Sequence, residues 1–190
     1  MKITVYHLTY IFIVLIFYSC NNEKSVTVYK VKKTDSLISK QNNSNNSSLS
    51  WTAPNNWIEK RATDFRLASY DINAPNGEII DLSITVFPGD AGGIESNVNR
   101  WRRQINLTPL DLNQLMNESS TQSSMIGEYY IFDLYNENNN QAMIAAILPN
   151  YDNSNSIIET IFVKMMGSSD TLSDLKYEFE LFCKSIHKSN

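Results

Sequence analysis

Ile79-Ile80-Asp81-Leu82-Ser83-Ile84-Thr85-Val86-Phe87-Pro88-Gly89-Asp90-Ala91-Gly92-Gly93-Ile94-Glu95-Ser96-Asn97-Val98-Asn99-Arg100-Trp101-Arg102-Arg103-Gln104-Ile105 is the stretch whose pattern decides the architecture. From Ile79 to Phe87 the apolar residues alternate, placing Ile80, Leu82, Ile84 and Val86 on the core face of a strand. Pro88 to Gly93 breaks that strand. Beyond the break, Ile94, Val98, Trp101 and Ile105 fall on one side of a helix running to about Ile105, with Asn99, Arg100, Arg102 and Arg103 opposite. A period of two giving way to a period near 3.6 describes a strand that feeds a helix packed back onto its own sheet.

The same reading extends in both directions. Upstream, Asp64 to Ile72 alternates, with Phe65 and Leu67 on one face and Arg66, Ala68, Tyr70 and Ile72 on the other. Asn73-Ala74-Pro75-Asn76-Gly77 is a turn signal, so this strand and the next form an antiparallel hairpin. Leu49 to Ala53 reads as a short first strand, closed by Pro54-Asn55-Asn56 ahead of Trp57. Downstream, Thr108 and Pro109 suit the cap and first turn of a second helix through Met116. Glu128–Tyr135 and Gln141–Leu148 read as strands around an asparagine-rich loop, and Ser156–Met166 as the last strand. Gly167-Ser168-Ser169 ends it and caps a final helix with a buried stripe of Leu172, Leu175, Phe179, Phe182, Cys183 and Ile186. Strands, helix, strands, helix, with hairpin connections, define an α+β domain: an antiparallel β-sheet covered by helices.

Residues 1–19 have another character. Lys2 precedes an apolar run densest from Tyr10 to Phe17, and Ser19 stands just before Cys20, the layout of a secretory signal peptide. Phe17-Tyr18-Ser19-Cys20 resembles a bacterial lipobox, with Phe17 where the family usually has Leu and Tyr18 where it has a small residue. The resemblance implies cleavage before Cys20, acylation of that cysteine and anchorage at a bacterial membrane on the non-cytoplasmic side; inner or outer membrane stays open. Two other readings are an uncleaved signal anchor and an ordinary cleaved signal. Each buried methylene contributes about 0.8 kcal/mol, and two or more acyl chains hold firmly. Residues 20–48 carry the lipidated cysteine and a polar run, Lys40 to Ser48, too poor in apolar surface to order itself; they read as a tether. Residues 49–190 then form the domain.

Composition narrows the function classes. Without residues 1–19 the chain has fifteen basic and twenty acidic residues, a formal charge of −5. That balance argues against general nucleic-acid binding, which needs a basic face. Cys183 is the only other cysteine and lies within a helical apolar stripe, so it reads as a small core residue. His187 is the only histidine after the signal segment, which disfavours a metal site or a histidine-based triad.

Several landmarks together resemble the PsbP-like α/β/α sandwich group, which includes thylakoid-lumen photosystem II proteins, a Ran-binding import factor and bacterial lipoproteins of the DcrB type. They are Trp51-Thr52-Ala53-Pro54-Asn55-Asn56-Trp57, Thr85 through Gly93, Asn97 through Gln104, Phe162 through Gly167, and the final helix to Ser185-Ile186. The likeness spans about residues 49–187. It implies a non-enzymatic binding or assembly role and carries no catalytic residues.

Individual side chains allow two readings each. The Gly-Asp-Ala-Gly-Gly loop before a helix invites a phosphate site, but it lacks the Walker lysine and Asp90 repels anions; a tight turn with positive φ and close helix–sheet approach is the better account. Arg100, Trp101, Arg102 and Arg103 form the densest basic cluster: a solvated helix face with Trp101 in the core, or a docking surface for a protein partner, since Arg and Trp anchor interfaces. Trp51 and Trp57 pack together at the core edge, or line a groove; the core is favoured. Asp90, Glu128 and Asp133 are available as acids, but no spacing pairs them. The expectation is therefore a membrane-anchored envelope lipoprotein acting as a protein-binding accessory module, with no catalytic, cofactor or metal residues. The alternative is a carrier of a small apolar ligand between sheet and helix, and a hydrolase comes third.

Overall fold

The computed structural model describes residues 49–189; the expected signal segment 1–19, the expected lipidation site Cys20 and the expected tether up to residue 48 lie outside the described residues. In chain order the elements are β1 (Leu49–Ser50), β2 (Trp57–Lys60), β3 (Ala68–Asn73), β4 (Ile79–Pro88), α1 (Gly93–Gln104), α2 (Leu112–Glu118), β5 (Ser120–Ser124), β6 (Gly127–Asn136), β7 (Gln141–Tyr151), β8 (Ile157–Gly167), α3 (Ser169–Ser185) and β9 (His187–Lys188). Strands β2 to β8 form one antiparallel sheet in the order β2-β3-β4-β8-β7-β6-β5, and β1 pairs with β9 in a separate two-stranded clip. Helices lie on both faces, so the expected α+β architecture is a three-layer sandwich. Among the described residues, no helix is long and apolar enough to cross a membrane.

Two apolar clusters hold the layers together. On one face Ile80, Leu82 and Ile84 of β4, Ile161, Val163 and Met165 of β8 and Ile144, Ala146 and Leu148 of β7 meet Leu172, Leu175, Phe179, Phe182 and Cys183 of α3. The opposite face packs Phe132, Leu134, Met143, Ala145, Ile147 and Phe162 against Val98, Trp101, Ile105 and Leu115 from α1, its C-terminal cap and α2. Strand β7 is buried along its whole interior, because both of its faces carry a helix. A continuous apolar run such as Ala142 to Leu148 is the sequence form of that burial.

The alternating pattern of Ile79 to Phe87 holds, as do the helix from Gly93 and the final helix with its six buried residues. Several expected boundaries do not. The strand expected from Asp64 begins only at Ala68, and Phe65 is 81% exposed. Thr63 and Arg66 exchange two backbone hydrogen bonds of 3.3 Å, turning residues 63–66 away from the sheet. The expected first strand shrinks to Leu49–Ser50 and joins the C-terminal clip, while Trp57–Lys60 makes the edge strand. Thr108 does not cap α2. Asn99 and Leu110 bond twice (2.7 and 2.9 Å), holding residues 108–110 along α1, so the helix starts after Asp111. Asp111 accepts the Gln114 amide at 2.9 Å and Gln114 accepts the Asp111 amide at 3.1 Å, a reciprocal capping box.

The Pro88–Gly93 break is a backbone device rather than a packing one. Gly89, Ala91, Gly92 and Gly93 all have positive φ, with Gly92 (86°) as the helix N-cap. A Cβ added at Gly89, Gly92 or Gly93 would meet nothing within 4 Å, so close helix–sheet approach is not their role. The crowded glycine is Gly167 at the end of β8, where a Cβ would run into Ile80 Cδ1 of the neighbouring strand and stand 2.9 Å from Glu78 Oε1.

Candidate functional site

Register decides where the sheet is covered and where it is bare. Facing α1 and α2, one cross-strand row reads Ile58–Asp71–Asp81–Met166–Met143–Leu134 and the next reads Lys60–Ser69–Ser83–Lys164–Ala145–Phe132. Apart from Ile58 on β2, each row is polar or charged over β2, β3 and β4, and both are apolar over β7 and β6, with the change at β8. The change marks the edge of α1. Among the described residues no helix lies over β2, β3 and β4 on this side: Ile58, Ile79 and Met166 are 54%, 62% and 49% exposed, and none of the three strands contributes to the α1–α2 core cluster. Among the described residues half of this sheet face carries no helix, although Ser69 and Ser83 at its centre are buried.

An ion network occupies its centre. The Lys60 ammonium sits 2.6 Å from both Asp71 and Asp81, and one Arg66 nitrogen reaches the two Asp81 oxygens at 3.0 and 2.8 Å and Ser69 Oγ at 3.2 Å. Hydrogen bonds to Asp71 and Asp81 hold the Lys60 ammonium above its ordinary pKa. Burial works to raise Asp81, but hydrogen bonds and charge from Lys60 and Arg66 outweigh it and keep the carboxyl low. The two carboxylates that the register brings together are thus already paired with cations, and Asp81 is held in its charged form.

Lys164 differs. It lies in the row beside Ser83, partly covered, and among the described residues its ammonium has one polar contact, Gln104 Oε1 at 3.4 Å. Burial lowers its pKa, and Arg66 and Arg100 push the same way against a smaller pull from Asp81. Residues 49–190 hold ten Lys and Arg against eighteen Asp and Glu, a formal charge of −8. The open half-face and its α1 rim reverse that balance, with Lys60, Arg66, Lys164 and Arg100 against Asp71 and Asp81. It is a local excess of two positive charges on an acidic domain.

The four residues expected to form a docking cluster therefore separate. Trp101 is 4% exposed and packs edge-on against Phe162, centroids 5.6 Å apart. Arg102 is 8% exposed; its Nε donates to the Thr108 carbonyl at 2.7 Å and its Nη1 lies 3.3 Å from Glu118. Trp101 thus fastens α1 to the sheet and Arg102 fastens it to the segment leading into α2, and both side chains are buried rather than set out on the surface. Helical spacing cannot show this, because the Asn99 and Arg102 side of α1 is covered by residues 107–118 rather than by water. Arg103 and Arg100 are exposed, and Arg100, held by Asn97 Oδ1, stands on the rim beside Lys164. Lys164, Arg66 and Asp81, none of them expected as site residues, complete the surface. A signal for it existed: Asp81, Ser83 and Thr85 alternate with apolar residues in β4, whereas β7 has no polar face.

The remaining candidates resolve into structure. Asp90 accepts the Gly92 amide in a local turn, Asp133 pairs with Lys176, and Glu128 is exposed on β6, so these three acids stay apart. Cys183 is fully buried, and burial pushes its thiol well up. Trp51 and Trp57 meet through Phe182 rather than directly, at 6.5 and 5.0 Å between centroids, and Trp51 Nε1 donates to Tyr70 Oη at 2.8 Å. Among the described residues no group of three or more His, Cys, Asp or Glu is arranged to hold a metal ion. A recess of about 270 Å³ between the β3–β4 turn and the start of α3 is lined by Ala74, Pro75, Asn76, Asp170, Thr171 and Asp174, a mixed wall of apolar, amide, hydroxyl and carboxylate groups.

The carboxylates make an acid-lability prediction. Hydrogen bonds from Ser168 (2.6 Å from its hydroxyl) hold Glu78 low, as the cations hold Asp81. Both folded pKa values lie below the unfolded ones of about 4.3 and 3.9. The folded chain therefore binds fewer protons, and this stability is present above those values and lost as pH falls through the folded ones. Urea midpoints are expected to be level from pH 7 to about 5 and to fall steeply below about pH 4. Asp81→Asn should flatten part of that slope; an unchanged slope would remove Asp81 from the account.

Among the described residues the fold and surface thus define a three-layer α/β/α sandwich with one half-face that carries no helix. Its path is similar to that of three solved structures. The cyanobacterial PsbP (CyanoP) of Synechocystis sp. PCC 6803 shares 14% identity at a TM-score of 0.46, over 75% of this chain and 87% of that one. LpqN of Mycobacterium tuberculosis, involved in cell envelope biogenesis, shares 9% at 0.43 over 75% and 83%. A chain from Bacteroides thetaiotaomicron VPI-5482 shares 12% at 0.37 over 75% and 45%. No protein-family model and no curated protein matches the sequence.

Proposed function

We propose that this chain is a lipid-anchored binding module of the bacterial envelope, without catalytic activity, which docks a partner protein on the bare half of its central sheet. The observation that carries the reading is the half-face itself. A three-layer sandwich normally buries both sides of its sheet, and here three strands present charged and apolar side chains to solvent where a second covering rod would fit. The neutralised Asp71–Asp81 pair favours binding over acid–base chemistry. The interlayer space in which a carrier would hold apolar cargo is filled by the two clusters. Cys20 supplies the membrane attachment in this reading, and residues 21–48 the reach.

Two measurements test it. Cys20→Ser should move the protein from the detergent phase to the aqueous phase; retention at the membrane would refute the lipid anchor. A photo-crosslinking residue at Met166, on the half-face, should give a discrete adduct in intact cells, and one at Tyr177, on the outer side of α3 and 69% exposed, should not. Equal labelling from both positions, or none from Met166, would overturn the docking assignment.

A further inference from the structure

We infer that the partner's contacting element is an acidic amphipathic helix, which lies across β2, β3 and β4 beside α1 and sets its carboxylates against Lys164 and Arg100. This rests on the docking reading above and adds the chemistry of the occupant. Dimensions come first. Adjacent strands lie about 4.8 Å apart, so the bare surface from β2 to β8 is about 14 Å across. A helix with side chains is about 10–12 Å wide, and packed helices stand about 8–10 Å apart. One helix fills the space next to α1 and completes the covering layer.

Side-chain chemistry selects its character. Ile58, Ile79 and Met166 offer apolar contact along the bare strands, matched by one apolar stripe. Lys164 is partly covered, has no carboxylate within 4 Å among the described residues, and faces Arg66 and Arg100, so it gains most from an arriving anion. The competing occupants fit less well. A second copy would bring the same positive face against this one. Residues 21–48 carry five Lys against one Glu and one Asp, a formal +3, and are repelled likewise. A single lipid headgroup would satisfy the Lys164 corner but leave Ile58 and Ile79 in water.

The test uses the full chain in neutral detergent micelles and an 18-residue fluorescent helical peptide with apolar residues at i, i+3, i+4 and i+7 and Glu on both flanks. Its twin carries Lys for Glu, and protein-free micelles provide the blank. The Glu peptide is expected to bind at least about tenfold tighter than the Lys peptide, to weaken with salt, and to lose about tenfold or more with Lys164→Glu or Arg100→Glu. Lys164→Gln and Arg100→Gln should lose part of this, and Arg103→Glu, off the half-face, little. Circular dichroism of each variant reports its folding. Equal binding of the two peptides, or unchanged binding to the Lys164 and Arg100 variants, would overturn the proposal. Displacement of the peptide by phosphatidylglycerol vesicles with the same residue dependence would also overturn it, in favour of a lipid ligand. If the Met166 adduct persists in cells when Lys164 is Glu, docking stands and the acidic-helix assignment falls.

Discussion

Replacing Phe182 with Ala is expected to lower folding stability by about 3–5 kcal/mol, the cost of emptying a large, fully packed aromatic site. Phe182 is 1% exposed and is the ring on which three others converge: Trp57 at 5.0 Å, Tyr70 at 6.0 Å and Trp51 at 6.5 Å between centroids. Each aromatic pair contributes about 0.5–1.5 kcal/mol beyond its buried area. The site cannot collapse easily. Trp57 is pinned by a hydrogen bond to Glu178 and Trp51 by one to Tyr70. Against a total stability of about 5–15 kcal/mol for an ordinary domain, the loss removes much of the margin. The measurement is the urea midpoint of the full chain, followed by near-ultraviolet circular dichroism, which reports the packed tryptophans. Phe182→Leu should recover part of the loss. A midpoint within error of wild type would mean that α3 and the Trp51–Trp57 segment are held some other way.

Why that hub was legible in the sequence, and the half-face only as a polar alternation in β4, comes down to the distance over which each is specified. Phe182 belongs to a helical stripe, and the spacing of Leu172, Leu175, Phe179 and Phe182 is local information. The same holds for Ile80, Leu82 and Ile84 in β4, and for the unbroken apolar run of β7. Strand β5 reads Ser-Thr-Gln-Ser-Ser; it has no apolar period and exists because β6 offers it an edge. The clip of β1 and β9 joins two residues from each end of the domain, a pairing no local pattern encodes. The half-face depends on β4 lying next to β8, whose paired residues are seventy or more positions apart in sequence, as in Ser83 and Lys164. Only that neighbour relation turns Lys164 from an isolated polar residue in a buried strand into the partner of Arg66 and Arg100. The polar face of α1 failed for a related reason: residues 107–118 fold back over it, so Arg102 and Asn99 became interior residues with backbone partners.

Trp101→Ala separates the two roles once open to that helix, and it too is expected to cost about 3–5 kcal/mol. Were Trp101 an interface anchor, truncation would reduce partner capture and leave the unfolding midpoint in place. Its surroundings predict the reverse. The ring is edge-on to Phe162 at 89°, Phe162 in turn contacts Phe87, and Val98, Ile105 and Leu115 share the same cluster. Removing it opens a cavity between α1 and the sheet, loosens the helix whose rim carries Arg100, and lowers capture only as far as folding is lost. Arg102→Ala should follow at about 1–3 kcal/mol, since the Thr108 carbonyl loses its charged donor and Glu118 its partner. Arg103→Ala, which touches neither, should stay within about 0.5 kcal/mol of wild type. Midpoints and capture measured on the same three variants decide it. Two residues of the Arg-Trp-Arg-Arg run fasten the helix down, and the proposed docking surface is built from Arg100 and side chains brought to it across the sheet.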